Sequence, residues 1–263
     1  METLHALILG IIQGLTEFLP VSSSGHLEIG KVLLGVEVEE SLSFSVAVHG
    51  ATVLSTIVVF RNDILDLIKG LFKFKWNEET RFVALILFSM IPVGIVGAFF
   101  KDSVEGLFTG NLLLVGLMLL VTATLLGLSM VIKRSREKDI SLTDAFIIGI
   151  AQAVAVLPGI SRSGATIATG LILGKRRNEV ARFSFLMVLI PILGANFLDL
   201  ISGDFSSEAG AGTTAIIVGF ISAFVVGFLA CKWMVSLIKK KKLTGFAIYC
   251  GVVGLVSILS YIL

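Results

Sequence analysis

The chain has 263 residues, of which 56% are hydrophobic and 15% charged, whereas about 25% of residues are charged in an average soluble domain. A mean hydropathy of +0.99 excludes a soluble globular protein and indicates several membrane spans. The net charge of +2 is too small and too dispersed to indicate nucleic-acid binding, and no such partner is expected. Cys231 and Cys250 lie in separate apolar segments without metal-ligand spacing, so we expect two buried thiols.

The first apolar segment, Leu4–Leu34, is interrupted in its middle by Pro20 and a Ser-Ser-Ser-Gly sequence. Proline removes a backbone donor and glycine relaxes the backbone, so we expect two short helices around a loop. Each half has roughly 12 to 15 residues, which is too short to cross a bilayer comfortably. The segment is therefore predicted to be a re-entrant hairpin, whose irregular backbone is surrounded by protein or water.

Six other segments, of roughly 17 to 21 residues each, are long and apolar enough to cross a bilayer. A further segment, Ala145–Leu173, is interrupted at Pro158 and Gly159 and is predicted to be a second hairpin. The sequence thus predicts an all-α polytopic membrane protein with six transmembrane helices and two re-entrant helix-loop-helix hairpins. The six predicted spans are Phe44–Phe60, Phe82–Phe100, Leu112–Ile132, Phe183–Ile201, Thr214–Cys231 and Gly245–Leu263.

The distribution of Lys and Arg predicts the orientation in the membrane. Basic residues are concentrated in four segments and are absent from Asp102–Gly110 and Ser202–Thr213. By the positive-inside rule the basic segments are cytoplasmic and the other two are external. Both termini are then outside, the first hairpin enters from the external side, and the second enters from the cytoplasm. The basic segments are Arg61–Arg81, Lys133–Lys138, Lys175–Arg182 and Lys232–Lys242.

An internal repeat relates the two hairpins at an offset of 139 residues. Between residues 10–45 and 149–184, 11 of 36 positions are identical, where residue frequencies alone give roughly two to four. Each unit consists of one hairpin and three spans. Because the number of crossings per unit is odd, the second copy must be upside down in the membrane relative to the first. We predict one membrane domain, 1–263, made of inverted repeats at about 1–132 and about 140–263. The functional site is expected where the two hairpins meet, near the midplane.

The first hairpin carries Gln13 and Glu17, four residues apart on one helical face just before the break. A carboxylate at membrane depth is costly and by default indicates function, although an interfacial carboxylate facing water is the alternative. His26 ends the same loop, and its nearness to Glu17 favours a functional histidine over a satisfied core residue.

The second hairpin carries Arg162, the single Lys or Arg between Lys138 and Lys175 in the sequence. A permanent cation beside hydroxyl and backbone donors at a helix start indicates an anion site, in particular for phosphate. A counter-ion to Glu17 without a ligand is the alternative. The loop hydroxyls could be nucleophiles, phosphate donors or helix caps: Ser22, Ser23, Ser24, Ser161, Ser163 and Thr166.

The residue pattern alone leaves two functions open. A carboxylate, a histidine, hydroxyls and an arginine enclosed in a bilayer suit hydrolysis of a phosphate ester on a lipid. They equally suit an inverted-repeat transporter or flippase for a phosphorylated lipid or solute.

Both motifs resemble those of the bacterial undecaprenyl pyrophosphate phosphatase family, the integral-membrane group associated with bacitracin resistance. Gln13-Gly-Leu-Thr-Glu17 resembles its (Glu/Gln)-x-x-x-Glu motif, and Pro158-Gly-Ile-Ser-Arg-Ser-Gly-Ala-Thr166 resembles its Pro-Gly-x-Ser-Arg-Ser-x-x-Thr motif. The resemblance covers essentially the whole chain. It implies an enzyme of the bacterial cytoplasmic membrane that removes the terminal phosphate of a C55 polyprenyl diphosphate. The monophosphate carrier is thereby recycled for cell-wall synthesis, at an active site open to the external or periplasmic side.

The resemblance also implies residue roles and a cofactor. A divalent cation, Mg²⁺ or Ca²⁺, is expected with Glu17 as a ligand, although Gln13 replaces the Glu of many members and argues against two carboxylates on one ion. Ser23 is expected to attack the terminal phosphorus while His26 or Glu17 takes its proton, and attack by water activated at Glu17 is the alternative. The implied catalytic residues are Glu17, Ser23, His26 and Arg162, and the implied substrate-binding residues are Gln13, Ser22, Ser161, Ser163 and Thr166.

Overall fold

The structure is a computed structural model that describes residues 2–35, 42–108, 110–132, 138–194, 212–240 and 242–262. Within these ranges the regular secondary structure is helical, apart from one isolated bridge between Lys138 and Lys175, so the predicted all-α class is confirmed. The helices are α1 (Thr3–Phe18), α2 (Ser23–Leu34), α3 (Leu42–Val59), α4 (Arg61–Leu71), α5 (Glu78–Phe99), α6 (Lys101–Glu105), α7 (Leu112–Val131), α8 (Leu142–Val154), α9 (Arg162–Ile172), α10 (Arg177–Met187), α11 (Thr213–Lys239) and α12 (Thr244–Ile262).

Four helices, α5, α7, α11 and α12, are long and apolar enough to cross a membrane, and they coincide with four of the six predicted spans. The helix α3, which covers the predicted span Phe44–Phe60, passes the same test together with α4, from which it is bent by 73°. The described residues thus contain four candidate spans, or five if this bent pair is one span. These helices establish a multi-pass membrane protein.

The predicted span Phe183–Ile201 is not one continuous helix in the part of the chain that the structure describes. The helix α10 ends at Met187, and a second helical stretch covers residues 189–194. Pro191 explains the break, because it has no N–H to donate to the Met187 carbonyl and its ring clashes with that carbonyl. Residues 195–211, with most of the predicted external loop, lie outside the described residues. The count of six spans stays a prediction.

The long helices expose apolar side chains along their outer faces. On α11, Ile217, Ile221, Val225 and Leu229 recur every four residues, and each is about half exposed. A stripe of this kind is unfavourable in water but matches lipid tails. The outer face of α11 is therefore the lipid-facing one.

Small residues let the inner faces approach closely. A Cβ placed on Gly10 of α1 would lie 2.5 Å from the Gly219 carbonyl oxygen of α11. Gly116 of α7 and Gly254 of α12 each face the other's carbonyl oxygen, at 2.7 and 2.8 Å from an added Cβ. Helix association in membranes depends on such close packing. These contacts hold the first hairpin against α11 and hold α7 against α12.

Both interrupted segments form the expected pairs of short helices, α1–α2 and α8–α9, and the members of each pair pack against each other. Ser22 accepts a hydrogen bond from the Gly25 N–H at 3.2 Å, and Ser161 accepts one from the Gly164 N–H at 3.0 Å. Each serine satisfies a backbone donor that the start of a helix leaves unpaired. Ser22 and Ser161 are 139 residues apart, so equivalent positions of the repeat carry the same cap.

A buried ion pair closes the base of the second hairpin. Lys175 Nζ lies 2.5 Å from Asp144 Oδ2, and the Lys175 side chain is 8% exposed. Asp144 and Ser141 also form a capping box at the start of α8. The first turn of α8 and the segment after α9 are thus joined, and this contact fixes the two helices relative to each other.

Candidate active site

The two broken loops are in direct contact. The Ser163 hydroxyl donates to the Leu19 carbonyl at 3.3 Å, across 144 residues of sequence. A Cβ placed on Gly25 would lie 3.1 Å from the Gly159 Cα, so larger residues would push the loops apart. Gly159 also has a φ of +98°, which favours glycine. The predicted functional residues therefore lie at a junction between two hairpins.

Glu17, at the end of α1, connects both loops. Its Oε2 accepts hydrogen bonds from Ser23 Oγ at 2.6 Å and from Gln13 Nε2 at 3.1 Å. Its Oε1 lies 3.4 Å from Arg162 Nη2, and the Glu17 side chain is 8% exposed. A carboxylate this buried is stable only when it is paired. The structure thus brings together four of the predicted site residues.

The Ser23–Glu17 contact defines the chemistry that the site can perform. A hydroxyl that donates to a carboxylate at 2.6 Å makes a short, charge-assisted hydrogen bond. A serine beside a base in this way can become a nucleophile. The loop backbone adds to this geometry, since Ser22 adopts a φ of +73°, a conformation that non-glycine residues rarely adopt.

Glu17 and Arg162 line one cavity, which α3 and α10 enclose from the other side. One group of residues lines this cavity with polar side chains, and a second group lines it with apolar side chains. Hydroxyl groups of Thr52, Thr56, Ser163, Thr166 and Ser184 belong to the polar wall. The apolar wall consists of Phe18, Val53, Phe185, Val188, Leu189 and Ile192.

The predicted phosphate-binding hydroxyls divide into two groups. Ser163 and Thr166 line the cavity, and the Thr166 hydroxyl donates to the Arg162 carbonyl at 3.0 Å. Ser22 and Ser161 instead cap α2 and α9, so their hydroxyls already accept backbone hydrogen bonds. Helix capping was the alternative role that the sequence left open for these serines.

His26 lies apart from the groups that line this cavity. Its Nδ1 is 2.8 Å from the Ser22 carbonyl, and its Nε2 is 2.8 Å from Tyr249 Oη. The two rings are stacked at 5.6 Å and 13°. Tyr249 lines a separate groove with Trp233 and Phe246. Both ring nitrogens of His26 are thus engaged with groups other than Ser23, whereas Glu17 accepts the hydrogen bond from the Ser23 hydroxyl.

Sequence reasoning missed three hydroxyls of the cavity: Thr52, Thr56 and Ser184. Thr52 and Thr56 are one helical turn apart in the predicted span Phe44–Phe60, and this spacing was a usable signal. Ser184 was matched to Ser45 by the repeat but was not singled out, since a serine inside a span is ordinary. Thr52, Thr56 and Ser184 thus bring polar side chains to the cavity from α3 and α10, outside the two motifs.

The residues present can be tested against the expected cation. Among the described residues, no group of three or more His, Cys, Asp or Glu side chains could hold a metal ion. Hard oxygen donors do converge, since Gln13 Oε1 is buried without a protein partner among the described residues, beside Glu17 and Ser23. Magnesium is often held by one carboxylate and substrate phosphates. The residues therefore fit a cation whose coordination a diphosphate completes.

These features define a helical multi-pass membrane protein with a buried carboxylate, serine and arginine where two broken helices meet. Such a site is suited to a phosphorylated ligand. The family model of bacitracin resistance protein BacA matches residues 6–256, and the chain belongs to this family. The resemblance noted in the motifs is thereby confirmed.

Similar proteins over nearly the whole length are named undecaprenyl-diphosphatase. One from Bacteroides fragilis is 59% identical, with 98% of both chains covered. One from Parabacteroides distasonis is 56% identical, again with 98% of both covered. One from Methanobrevibacter smithii is 41% identical over 97% of this chain and 96% of its own. The similarity is thus continuous and includes both hairpins.

Proposed function

We propose that the chain is a phosphatase that hydrolyses undecaprenyl diphosphate to undecaprenyl phosphate and inorganic phosphate. The contact that carries this proposal is the 2.6 Å hydrogen bond from Ser23 to Glu17 beside Arg162. The names of the relatives support the same reaction. They give no comparable support to a transporter or flippase. Undecaprenyl phosphate is the lipid carrier for cell-wall polymers, and its production supports bacitracin resistance.

The second hairpin binds the diphosphate. Arg162 presents a guanidinium to the phosphate oxygens. Ser163 and Thr166 line the same cavity, and their hydroxyls donate to the Leu19 and Arg162 carbonyls of the two loops. The backbone N–H groups at the start of α9 add donors where negative charge develops. Ser22 and Ser161 contribute indirectly, since they cap the helices that position Ser23 and Arg162.

Ser23 performs the first chemical step. Its Oγ attacks the terminal phosphorus, its proton passes to Glu17 Oε2, and the bridging oxygen leaves with the lipid monophosphate. Water then attacks the phosphoserine, phosphate leaves, and Glu17 returns its proton to Ser23. Direct attack by water is less well supported, because the Ser23 hydroxyl already donates to the carboxylate. His26 takes no part in the proton transfer and acts through its contact with Tyr249.

A divalent cation would be held by Glu17, with Gln13 Oε1 and the Ser23 hydroxyl as further oxygen donors. When bound, it supplies positive charge to the phosphate oxygens.

Release of phosphate from the lipid substrate tests this function directly. The protein purified in detergent should convert undecaprenyl diphosphate to equimolar phosphate and undecaprenyl phosphate. EDTA should abolish turnover, and excess Mg²⁺ or Ca²⁺ should restore it. Absence of turnover under all conditions would contradict the phosphatase. Turnover that EDTA leaves unchanged would contradict the cation alone.

The architecture we propose for this enzyme is a pair of inverted repeats in the bacterial cytoplasmic membrane. Helix α1 packs on α11, whereas α8 packs on α5, so the first helix of each hairpin lies on a long helix of the other unit. The hairpins are re-entrant, and their shared cavity opens to the external or periplasmic side. This opening suits a substrate that is released where cell-wall polymers are made.

Cysteine labelling tests the proposed orientation. Cys231 and Cys250 are buried, as predicted, so they are replaced by Ala to give a cysteine-free background. Ser103→Cys, on the exposed part of α6, should react with an impermeant maleimide in intact cells. Lys240→Cys, which is exposed at the end of α11, should react only after the cells are opened. The reverse pattern would invert the topology and the side to which the cavity opens.

A further inference from the structure

Ser184 on α10 is an exception among the buried serines. It is 3% exposed, and its hydroxyl has no hydrogen-bond partner among the described residues. Other buried serines in helices, Ser129, Ser222 and Ser257, donate to a carbonyl three or four residues earlier. Ser184 lies in a helix with the same carbonyls available, yet its hydroxyl is not directed to them.

Ser184 is one of the residues that line the cavity with Glu17 and Arg162. The neighbouring hydroxyls on α3 are already engaged, since Thr52 donates to the His49 carbonyl at 2.8 Å and Thr56 to the Thr52 carbonyl at 3.0 Å. A buried hydroxyl without a partner is costly, and such groups call for an explanation. An oxygen atom of a ligand bound in the cavity would be the missing hydrogen-bond partner of the Ser184 hydroxyl.

The residues that follow Ser184 on the same side of the helix are apolar. Phe185, Val188, Leu189 and Ile192 line the cavity together with Ser184, at successive positions along α10 and its continuation. Side chains at this spacing form one face of a helix. A polar group followed by an apolar face matches a lipid phosphate followed by its hydrocarbon chain.

We infer that Ser184 donates a hydrogen bond to the phosphate that remains on the lipid, and that Val188, Leu189 and Ile192 contact the first isoprene units. The inference rests on the proposed phosphatase function and extends it to a substrate-binding residue outside both motifs. It gives the substrate a direction, with the lipid phosphate on the α10 side and the terminal phosphate facing Ser23. The hydrogen bond also stabilises the charge that appears on the leaving monophosphate.

The Ser184→Ala variant tests the inference, because inhibition by each of the two products, the lipid monophosphate and inorganic phosphate, can be measured separately. With farnesyl diphosphate as substrate, kcat/KM should fall about 10- to 100-fold, the range for a lost hydrogen bond to a charged group. Inhibition by farnesyl phosphate should weaken by a similar factor. Inhibition by inorganic phosphate should be unchanged, because that product occupies the other position. Thermal stability should not fall, because no protein hydrogen bond is lost.

Ser129→Ala is the matched control, since Ser129 is equally buried on α7 but donates to its own helix. It should leave kcat/KM and both inhibition constants unchanged. Full activity of Ser184→Ala, or equal weakening of inhibition by both products, would overturn the inference while leaving wild-type phosphatase activity intact. An inactive wild-type protein would instead contradict the proposed function.

Discussion

Glu17→Gln is expected to abolish most phosphatase turnover, with kcat reduced about 100- to 10,000-fold, the range typical of general-base loss. The carboxylate accepts the Ser23 proton at 2.6 Å and faces Arg162 at 3.4 Å. An amide has nearly the same shape but cannot take a proton, so the fold should persist while the chemistry fails. Phosphate release from undecaprenyl diphosphate, with melting temperature as the measure of folding, checks both parts.

Glu28→Gln provides the control for this change. Glu28 is also buried, at 3% exposure, but it pairs with Lys31 and the Gly110 N–H and does not line the Glu17 cavity. It should retain turnover within a few-fold of wild type. Near wild-type turnover of Glu17→Gln would mean that its carboxylate is structural and that Ser23 is activated by another group.

Arg162→Lys should lose at least about 100-fold in kcat/KM despite keeping the positive charge. The guanidinium presents a planar fork of donors that matches two phosphate oxygens, whereas an ammonium acts as a point charge. Lysine is also shorter at its donor end, so it does not span both Glu17 and a bound phosphate. Steady-state kinetics on the polyprenyl diphosphate substrate checks this expectation.

Arg176→Lys is the matched comparison. Arg176 pairs with Asp139, and both side chains are at least half exposed, so the conservative change should leave kcat/KM within two- to three-fold of wild type, since exposed ion pairs contribute little. If Arg162→Lys is as active as Arg176→Lys, the hypothesis that Arg162 binds two phosphate oxygens at once is wrong.

The break points of the two hairpins were predictable because proline, glycine and serine act locally. Pro20 and Pro158 each lie close to glycine and serine, and this combination marks a loop, whereas Pro92 on its own leaves α5 continuous. A serine before a helix caps it in either half. The two motifs were therefore sufficient to locate the contacting loops. Pro191 carries a local signal too, but the span Phe183–Ile201 was predicted from its apolar length alone.

Contacts between distant residues were not predictable in this way. His26 shared a short segment with Glu17, but its partner is Tyr249, 223 residues away. Ser184 looked like an ordinary serine in a span, and only its unpaired hydroxyl distinguishes it. Neither helical periodicity nor composition carries this information, because both describe the neighbours of a residue along one helix.

Equivalent positions of the repeat carry different chemistry. Ser23 and Arg162 are 139 residues apart, and each is the first residue of a helix capped by the preceding serine. In the mechanism that we propose, one position supplies the nucleophile and the other supplies the cation. A protein assembled from two identical copies of either half would have two nucleophiles or two cations. The proposed reaction needs one of each, so neither half could replace the other.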